Sequence, residues 1–316
     1  MSQIQNNKIL ITGGAGFIGS NLVDALVKNN EIVVVDDLSM GKIENLPLVS
    51  NLHFFKHSIT DQKFMHTLLI KWDFDYIFLL AAVASVADSI NRPLETHTVN
   101  QDANINIIDI VRTNDLHVKR ILFASSAAVY GNDPILPKCE DSSMINPLSP
   151  YAIDKYATER FVISYGHLYN VPTAVTRFFN VYGPKQNPSS PYSGVLSLLS
   201  QAFKYNKTFT VFGDGEQQRD FIYIADVITA LCLLATKPQS LYNVYNVATE
   251  TPMSLNKIIQ IFQLITGKNI NIHYANSRIG DIKYSYANID KIKKLGFKPH
   301  FSIKEGLNKY WNGLGE

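Results

Sequence analysis

Residues 8–20 read KILITGGAGFIGS, and this stretch decides the fold. The apolar run before the glycines predicts a short buried strand over 8–12, and the residues after them predict a helix from about Asn21 to Lys28. Gly13, Gly16 and Gly19 allow a tight turn and close backbone approach to a pyrophosphate, which N–H groups at the helix N-terminus can bind. A strand, spaced glycines and a helix in this order are typical of a dinucleotide-binding unit.

Two carboxylates follow the next predicted strand. Residues 32–35 read IVVV and lead into Asp36-Asp37. An acid about 20 residues beyond the glycines is where an adenosine ribose is held by its hydroxyls. A carboxylate there disfavours a 2′-phosphate, so the sequence predicts NAD rather than NADP. The alternative is that Asp36 and Asp37 only cap a loop.

Strands and helices alternate through the first half of the chain. Further strands are predicted over residues 52–55, 75–80, 120–124 and 173–179. Helices are predicted after Pro93 and from Tyr151 to about Tyr169. The alternation predicts an α/β fold, a Rossmann-type doubly wound parallel sheet covered on both faces. Ligands of such sheets bind beyond the carboxyl ends of the strands, where Gly13, Asp36, Ala81 and Ser126 fall.

Residues 149–155 read SPYAIDK and place Tyr151 and Lys155 on one face of a helix. Ser149 suits the cap of that helix and Pro150 its first turn. A nearby ammonium favours a phenolate, so we expect Lys155 to lower the pKa of Tyr151 below its ordinary value of about 10. Tyr151 could then act as general base on a sugar or alcohol hydroxyl, with Ser126 hydrogen-bonded to the same oxygen. The alternative is a tyrosine packed on the core beside a solvated lysine, although no other tyrosine has a lysine four residues on.

The composition changes from Pro184 onward. We predict an NAD-binding domain over 1–182, to which residues near 219–247 return, and a smaller C-terminal substrate-binding α/β domain over 183–316. A helix over 194–205, a strand over 209–212 and a helix over 225–235 are expected in this part. Arg219 and Arg278 are candidates for binding a substrate diphosphate, because guanidinium groups match phosphate oxygens. The alternative is a surface ion pair of each arginine with its neighbour, Asp220 or Asp281.

Composition limits the classes of function. The formal net charge of +2 over 316 residues gives no reason to expect nucleic acid or an acidic membrane as a partner. Cys139 and Cys232 define no disulfide framework, and no Cys/His cluster has metal-ligand spacing, so we predict no metal and a cytoplasmic location. No apolar run approaches the roughly 20 residues of a membrane span.

The segments TGGAGFIGS, SSAAVYG, RFFNVYGP and FGDGEQQRDF, with the tyrosine–lysine pair, resemble the extended short-chain dehydrogenase/reductase family. Within it the chain is similar to nucleotide-sugar epimerases of the UDP-hexose and UDP-N-acetylhexosamine type, from Lys8 to about Phe301. The resemblance implies that Tyr151 removes the proton from the sugar O4 while the C4 hydride passes to tightly held NAD. Lys155 would also hold the nicotinamide ribose, and Ser126 would align O4. The 4-keto sugar would then rotate and take the hydride back on its other face.

The resemblance also implies site residues. Its cofactor-binding positions are Gly13, Gly16, Phe17, Ile18, Gly19, Asp36, Asp37, Ser58, Ile59, Leu80, Ala81, Asn100, Tyr151, Lys155 and Phe179. Its substrate-binding positions are Ser126, Tyr151, Asn180, Gly194, Val195, Val211, Phe212, Arg219, Arg278, Asp281 and Ser285. The chain departs from the family at Ser58, where an aspartate usually contacts adenine, and at Leu79, where a histidine is usual. A homodimer is implied, with the helices after Pro93 and after Tyr151 pairing across a two-fold axis.

The residue at the position of Ser285 gates the space for the C2 substituent of the sugar in this family. A tyrosine there resembles enzymes restricted to plain hexoses, whereas a serine leaves room for an N-acetyl group. We therefore predict C4 epimerisation of UDP-GlcNAc and UDP-GalNAc, with UDP-Glc and UDP-Gal also accepted.

Other functions stay open. A UDP-glucuronate 4-epimerase needs a cation for the sugar carboxylate, which Lys185 could supply. A nucleotide-sugar 4,6-dehydratase needs an acid–base pair directly after Ser126, where this chain has Ala127-Ala128. A reductase would release its oxidised cofactor. A non-catalytic NAD-sensing protein would be expected to lack Tyr151 or Lys155.

Overall fold

The computed structural model describes residues 4–186, 194–277 and 282–314. Its strands are β1 (Lys8–Thr12), β2 (Glu31–Asp36), β3 (Leu52–Lys56), β4 (Tyr76–Leu79), β5 (Arg120–Ser126), β6 (Thr173–Phe178), β7 (Asn180–Tyr182), β8 (Phe209–Phe212), β9 (Gln218–Tyr223), β10 (Val244–Val247), β11 (Pro252–Ser254), β12 (Ile272–Ala275) and β13 (Tyr284–Ser285). Its α-helices are α1 (Phe17–Leu26), α2 (Gln62–Trp72), α3 (Val86–Asn91), α4 (Pro93–His97), α5 (Ala103–Thr113), α6 (Pro150–Tyr169), α7 (Val195–Tyr205), α8 (Ile224–Thr236), α9 (Leu255–Thr266), α10 (Asp290–Lys293) and α11 (Ile303–Asn312). Within the described ranges, no helix has both the length and the apolar character that a membrane crossing requires.

Seven parallel strands form the main sheet, in the order β3-β2-β1-β4-β5-β6-β10. The strand order reverses at β1, which pairs with β2 on one side and β4 on the other. Open α/β sheets bind ligands at the carboxyl edge beside such a reversal, because the connections diverge there and leave a crevice. The predicted Rossmann-type fold is confirmed.

Apolar clusters cover both faces of this sheet. Ile9, Ile11 and Val34 face one cluster, whereas Leu10 and Val33 face the other. Successive side chains of a strand point to opposite faces, and parallel strands covered on both faces are therefore apolar throughout. This is why the runs ILI and IVVV in the sequence predict central strands.

α1 begins four residues earlier than predicted. It starts at Phe17 with Gly16 as its N-cap, and no side chain caps its first turn. Gly19 has low helix propensity, which placed the predicted start too late. A Cβ at Gly19 would overlap the carbonyl oxygen of Gly13, so tertiary packing requires this glycine inside the helix. For α6 the predicted cap is confirmed, since the Ala152 N–H donates to Ser149 Oγ at 3.2 Å.

Two smaller sheets lie in the second half of the chain. One joins β7, β11 and β13 to β9, and the other pairs β8 with β12. Between β9 and β11 the chain returns to the main sheet, where β10 pairs in parallel with β6. The domain boundary between residues 182 and 183 stays a prediction.

Candidate active site

A cleft of about 440 Å³ opens at the carboxyl edge of the main sheet. Its lining includes predicted cofactor positions from the ends of β1, β2, β3 and β4: Gly13, Gly16, Phe17, Ile18, Gly19, Asp36, Asp37, Ser58, Ile59, Leu80 and Ala81. Ala124 of β5 lines the same cleft. Topology thus brings residues from distant parts of the sequence to one crevice.

The glycine-rich turn has the shape of a phosphate cradle. Gly13 has a φ of +68°, and a Cβ there would lie 2.8 Å from the Cα of Ala81. Only glycine fits this position, because the left-handed conformation and the close strand-end backbone both exclude a side chain. The uncapped first turn of α1 leaves N–H groups for an anion. The residues present therefore fit the diphosphate of a dinucleotide.

The two carboxylates after β2 differ in their surroundings. Asp36 is buried and accepts hydrogen bonds from the N–H groups of Ala15 at 3.0 Å and Leu38 at 2.8 Å. Burial raises the pKa of Asp36, and these hydrogen bonds oppose the rise. Asp37 is exposed on the cleft. Asp36 thus fixes the loop after β2 against the glycine-rich turn, and Asp37 is the more accessible acceptor.

Asn100 is fully buried and bound to the backbone of Val83. Its Oδ1 accepts from the Val83 N–H at 2.8 Å, and its Nδ2 donates to the Val83 carbonyl oxygen at 3.2 Å. Asn100 lies in a π-helical turn over residues 98–102, a distortion that is frequent at functional sites. Because Val83 lines the cleft, the structure gives Asn100 a positioning role. The side chain of Phe179 is likewise buried, and its ring packs against Tyr130.

Ser58 stands at the departure from the family pattern. Its hydroxyl lies 2.8 Å from Thr60 Oγ1 and also accepts from the Thr60 N–H. The neighbouring Ile59 is buried at the same end of the cleft. Asp61, the nearest carboxylate, caps α2 through the Phe64 N–H. The Ser58 hydroxyl therefore stabilises the turn over residues 58–60, and the Asp61 carboxylate is used as the N-cap of α2.

Ser126, Tyr151 and Lys155 come together at the end of β5. Ser126 is close enough to the Tyr151 hydroxyl for a hydrogen-bonding effect that lowers the pKa of the phenol. The Nζ atom of Lys155 lies 5.9 Å from the centre of the Tyr151 ring and donates to the Ala124 carbonyl oxygen at 2.9 Å. Because Ala124 lines the cleft, Lys155 is bound to the backbone of a lining residue, and the hydroxyl, the phenol and the ammonium lie beside this strand end.

The expected pKa relation of this pair is wrong for the described structure. Burial raises the pKa of Tyr151, and the hydrogen bond with Ser126 only partly offsets the rise. Burial also lowers the pKa of Lys155 to about 8. The loss of water is the largest cause of both pKa shifts; the hydrogen bond with Ser126 opposes it for Tyr151, and the charge of Asp154 opposes it for Lys155. The pair thus has a lysine that changes charge near neutral pH.

A second pair joins α6 to α4 through Asp154 and His97. Asp154 is 3% exposed, and its Oδ1 is 2.7 Å from Nδ1 of His97. The other carboxylate oxygen of Asp154 is buried without a hydrogen-bond partner among the described residues. The hydrogen bond to Asp154 raises the pKa of His97, and the charge of Asp154 opposes the fall in the pKa of Lys155. This pair could not be predicted, because nothing in the sequence connects residues 97 and 154.

The small sheet brings candidate substrate residues together. Ser285 of β13 lies beside Arg219 of β9, and Asn180 of β7 lies beside Phe221. Asn180 donates to the carbonyl oxygen of Asp220 at 2.8 Å. The expected alternative of an Arg219–Asp220 ion pair is wrong. The buried Asp220 carboxylate accepts instead from backbone and side-chain groups of residues 249–250 and from the N–H of residue 287.

The remaining candidates divide into three groups. Gly194 lines the cofactor cleft, and Val195 begins α7 directly after it. The side chain of Val211 is completely buried in the core, whereas Phe212 is half-buried. Arg278 and Asp281 lie outside the described residues.

The ammonium of Lys185 has two partners in the NAD-binding half of the chain. Its Nζ donates to Asp24 Oδ2 at 2.5 Å and to the Asn45 carbonyl oxygen at 2.7 Å. Asp24 belongs to α1, and Asn45 follows the loop after β2. The ammonium is therefore already engaged at the NAD-binding half of the chain.

A buried polar network, likewise not predicted from the sequence, connects α6 with the end of the small sheet. Arg177 donates to both carboxylate oxygens of Glu159 and to the hydroxyl of Tyr130. Tyr130 donates to Asn246, which donates to the carbonyl oxygen of Asn288. Glu159 follows Lys155 by one helical turn, and Asn288 follows Ser285 by three residues. A charged residue inside the apolar strand β6 was the available signal.

Comparison with known proteins identifies relatives of the whole chain. A model of the NAD dependent epimerase/dehydratase family matches residues 9–248. A UDP-N-acetylglucosamine 4-epimerase from Methanobrevibacter ruminantium, solved with UDP-N-acetylmuramic acid, has a TM-score of 0.93 at 36% identity and covers 98% of this chain and 99% of its own. UDP-glucose 4-epimerase from Thermotoga maritima, solved with UDP-glucose, gives 0.90 at 33% identity over 97% and 98% of the two chains. A UDP-glucuronate 4-epimerase from Thermodesulfobacterium geofontis is 32% identical over 96% of this chain and 94% of its own.

Proposed function

The chain belongs to the NAD-dependent epimerase/dehydratase family as an enzyme of the nucleotide-sugar 4-epimerase type, and we propose that it interconverts UDP-GlcNAc and UDP-GalNAc. UDP-Glc and UDP-Gal are proposed as further substrates. The observation that carries the proposal is the grouping of three side chains at the end of β5. Lys155 is buried one helical turn from Tyr151, and the Tyr151 hydroxyl lies next to Ser126. Ala124 of the same strand lines the NAD cleft. The likeness to an N-acetylhexosamine epimerase and the small residue at Ser285 support the choice of sugar.

The proposed chemistry assigns one task to each of the three side chains. Ser126 holds the sugar O4 by a hydrogen bond, and Tyr151 takes the O4 proton on its phenolic oxygen and later returns it. When bound, NAD would supply the reversible oxidation of the sugar carbon and a positive ring charge. That charge, added to the Lys155 ammonium, would offset the rise that burial causes in the pKa of Tyr151. Lys155 remains held by the Ala124 carbonyl oxygen, so its ammonium stays beside this strand end.

Two alternatives are less well supported. The directly following Ala127 and Ala128 offer no acid–base pair for a 4,6-dehydratase. A glucuronate epimerase is favoured by several relatives, but the cation considered for the sugar carboxylate, Lys185, is bound to Asp24. A sensor without catalysis would not need the complete trio of Ser126, Tyr151 and Lys155.

A homodimer is proposed as well. Large apolar side chains are exposed on α3, α4 and α6, among them Ile90, Leu94, Ile153, Phe161 and Leu168. Several large apolar side chains exposed on neighbouring helices are typical of a protein–protein contact. The family resemblance implies pairing through helices of this region, so the homodimer stays a prediction with this support.

The test is product formation from UDP-GlcNAc, UDP-GalNAc, UDP-Glc and UDP-GlcA, separated by chromatography. We expect conversion of the first three and none of UDP-GlcA. Tyr151→Phe should abolish every conversion because the proton acceptor is gone. Turnover of UDP-GlcA alone would overturn the proposed sugar and leave the mechanism standing.

The variant Ser285→Tyr tests the choice of sugar directly. It should lose activity on UDP-GlcNAc and keep activity on UDP-Glc, because the bulky ring fills the space for the N-acetyl group. Tyr284→Ser is the matched control, since successive side chains of a strand point to opposite faces. Full UDP-GlcNAc activity in Ser285→Tyr would refute the role of this position.

A further inference from the structure

The NAD cleft has two walls from distant parts of the chain. Lys42 and Asn45 belong to the wall after β2, and Lys185 and Gln186 to the wall after β7. Asn45 is fixed to the glycine-rich turn, because its Nδ2 donates to the Ala15 carbonyl oxygen at 2.9 Å. The wall after β7, which we call the strap, comprises residues 184–186.

Lys185 connects the strap to the other wall. Its ammonium donates to the Asn45 carbonyl oxygen at 2.7 Å and pairs with Asp24 on α1 at 2.5 Å. Asn21 of α1 also donates to the Pro184 carbonyl oxygen at 3.1 Å. The strap therefore makes three polar contacts with the NAD-binding half.

The backbone of Lys185 supports a fixed arrangement. Its φ is +68°, in the left-handed region that residues with a side chain rarely adopt. Such a conformation persists where the surrounding contacts determine it, and it is frequent at ligand clamps. The side chain of Lys185 is 24% exposed, so most of it lies within the structure.

We propose that Lys185 is a cofactor-retention residue. Its ammonium bridges the two walls of the cleft, and these contacts must break before NAD can dissociate. The inference rests on the NAD-dependent function proposed above. An epimerase returns its cofactor to the starting state in each turnover, so a latch that slows NAD release does not slow the cycle. Lys185, first considered as a partner for a sugar carboxylate, thereby acquires a role toward the cofactor.

The expected effect follows from the two contacts of the ammonium. A half-exposed ion pair and a charge-assisted hydrogen bond are individually weak. Their combined loss should accelerate NAD release roughly tenfold, which corresponds to about 1.4 kcal/mol. Physiological salt should change the release rate of the unmodified protein only slightly, because the 2.5 Å separation of the Lys185–Asp24 pair is much shorter than the Debye length of about 8 Å.

The experiment measures exchange of bound NAD against excess isotopically labelled NAD by mass spectrometry of the holoenzyme. Lys185→Met removes the ammonium and keeps the apolar stem, whereas Asp24→Asn removes the partner charge and leaves the ammonium. Lys42→Met is the matched control, because it removes a cation from the opposite wall of the same cleft. Asp24 is 45% exposed, so Asp24→Asn should fold like the unmodified protein.

Faster exchange in both Lys185→Met and Asp24→Asn, with little change in Lys42→Met, is the expected result. Loss of NAD during purification of Lys185→Met, but not of Lys42→Met, would equally support retention. Unchanged or slower exchange in Asp24→Asn would overturn the proposal, because a lysine that only attracts the diphosphate would bind it better without Asp24. Equal acceleration in Lys42→Met would also overturn it.

The readout needs no sugar, so the two proposals fail separately. Faster exchange without conversion of UDP-GlcNAc would leave retention standing and remove the proposed substrate. Conversion of UDP-GlcNAc with unchanged exchange in Lys185→Met would do the reverse.

Discussion

Replacing Lys155 by methionine should stabilise the NAD-free protein at neutral pH while abolishing epimerisation. Burial lowers the pKa of Lys155 from 10.5 to about 8, so the folded state disfavours its charge. At about 1.4 kcal/mol per pKa unit, the charged form costs about 3 kcal/mol below pH 8. Methionine also loses the hydrogen bond to the Ala124 carbonyl oxygen, which is worth about 1 kcal/mol. The net expectation at pH 7 is a gain of about 2 kcal/mol.

The sign of the pH dependence follows from the depressed pKa. Below pH 8 both folded and unfolded states carry the proton, and the penalty of the buried charge is complete. Between pH 8 and 10.5 the folded state has released it, so the stability of the unmodified protein rises relative to Lys155→Met. Near pH 9.5 the remaining penalty is about 1.4 kcal/mol, and the advantage of Lys155→Met should nearly vanish.

The assay is urea unfolding of both NAD-free proteins at pH 7 and pH 9.5, followed by intrinsic fluorescence. Taking the difference between the two proteins at each pH removes the titration of all other groups. A Lys155→Met protein that is less stable at pH 7, or whose advantage does not shrink at pH 9.5, would refute the reasoning. Either result would mean that the buried ammonium is compensated by more than the contacts described above.

Two further predictions concern α6. Arg177→Met should lower the free energy of unfolding by about 3–5 kcal/mol in urea titration, because it leaves the fully buried Glu159 carboxylate without a counter-charge. The control Arg112→Met removes one partner of an exposed ion pair and should lower it by less than about 1 kcal/mol. Equal losses in the two variants would contradict the argument from burial. His97→Gln should reduce stability only at acidic pH. Because the pKa of His97 is raised in the folded state, the charged His97–Asp154 pair stabilises fully below about pH 6.5, and this stabilisation is lost as the pH rises through the raised pKa. The side chain is 40% exposed, so thermal unfolding between pH 5.5 and 8.5 should show an effect below about 1 kcal/mol, and an effect that grows with pH would contradict it.

Local sequence patterns determined the fold and the central chemistry. The run KILIT before spaced glycines and the run IVVV before Asp36 each predict a strand that ends at a ligand, because buried parallel strands are apolar throughout. Tyr151 and Lys155 could be paired from the sequence since both lie in one helix, where a spacing of four fixes their relative position. Ser149 as a cap belongs to the same class of short-range information. The small sheet shows the limit of this approach, because only a family resemblance suggested Arg219 and Ser285.

Contacts between residues far apart in the chain were decided by the tertiary structure alone. Asn100 is turned to the backbone of Val83, Lys185 reaches Asp24 across about 160 positions, and Asp154 meets His97. The pKa of Tyr151 depends on the same level of structure, because burial raises it more than the hydrogen bond with Ser126 lowers it. Spacing along one helix fixes which groups are neighbours. How much water each group loses, and which distant partner fills its hydrogen bonds, depends on how the whole chain packs around it.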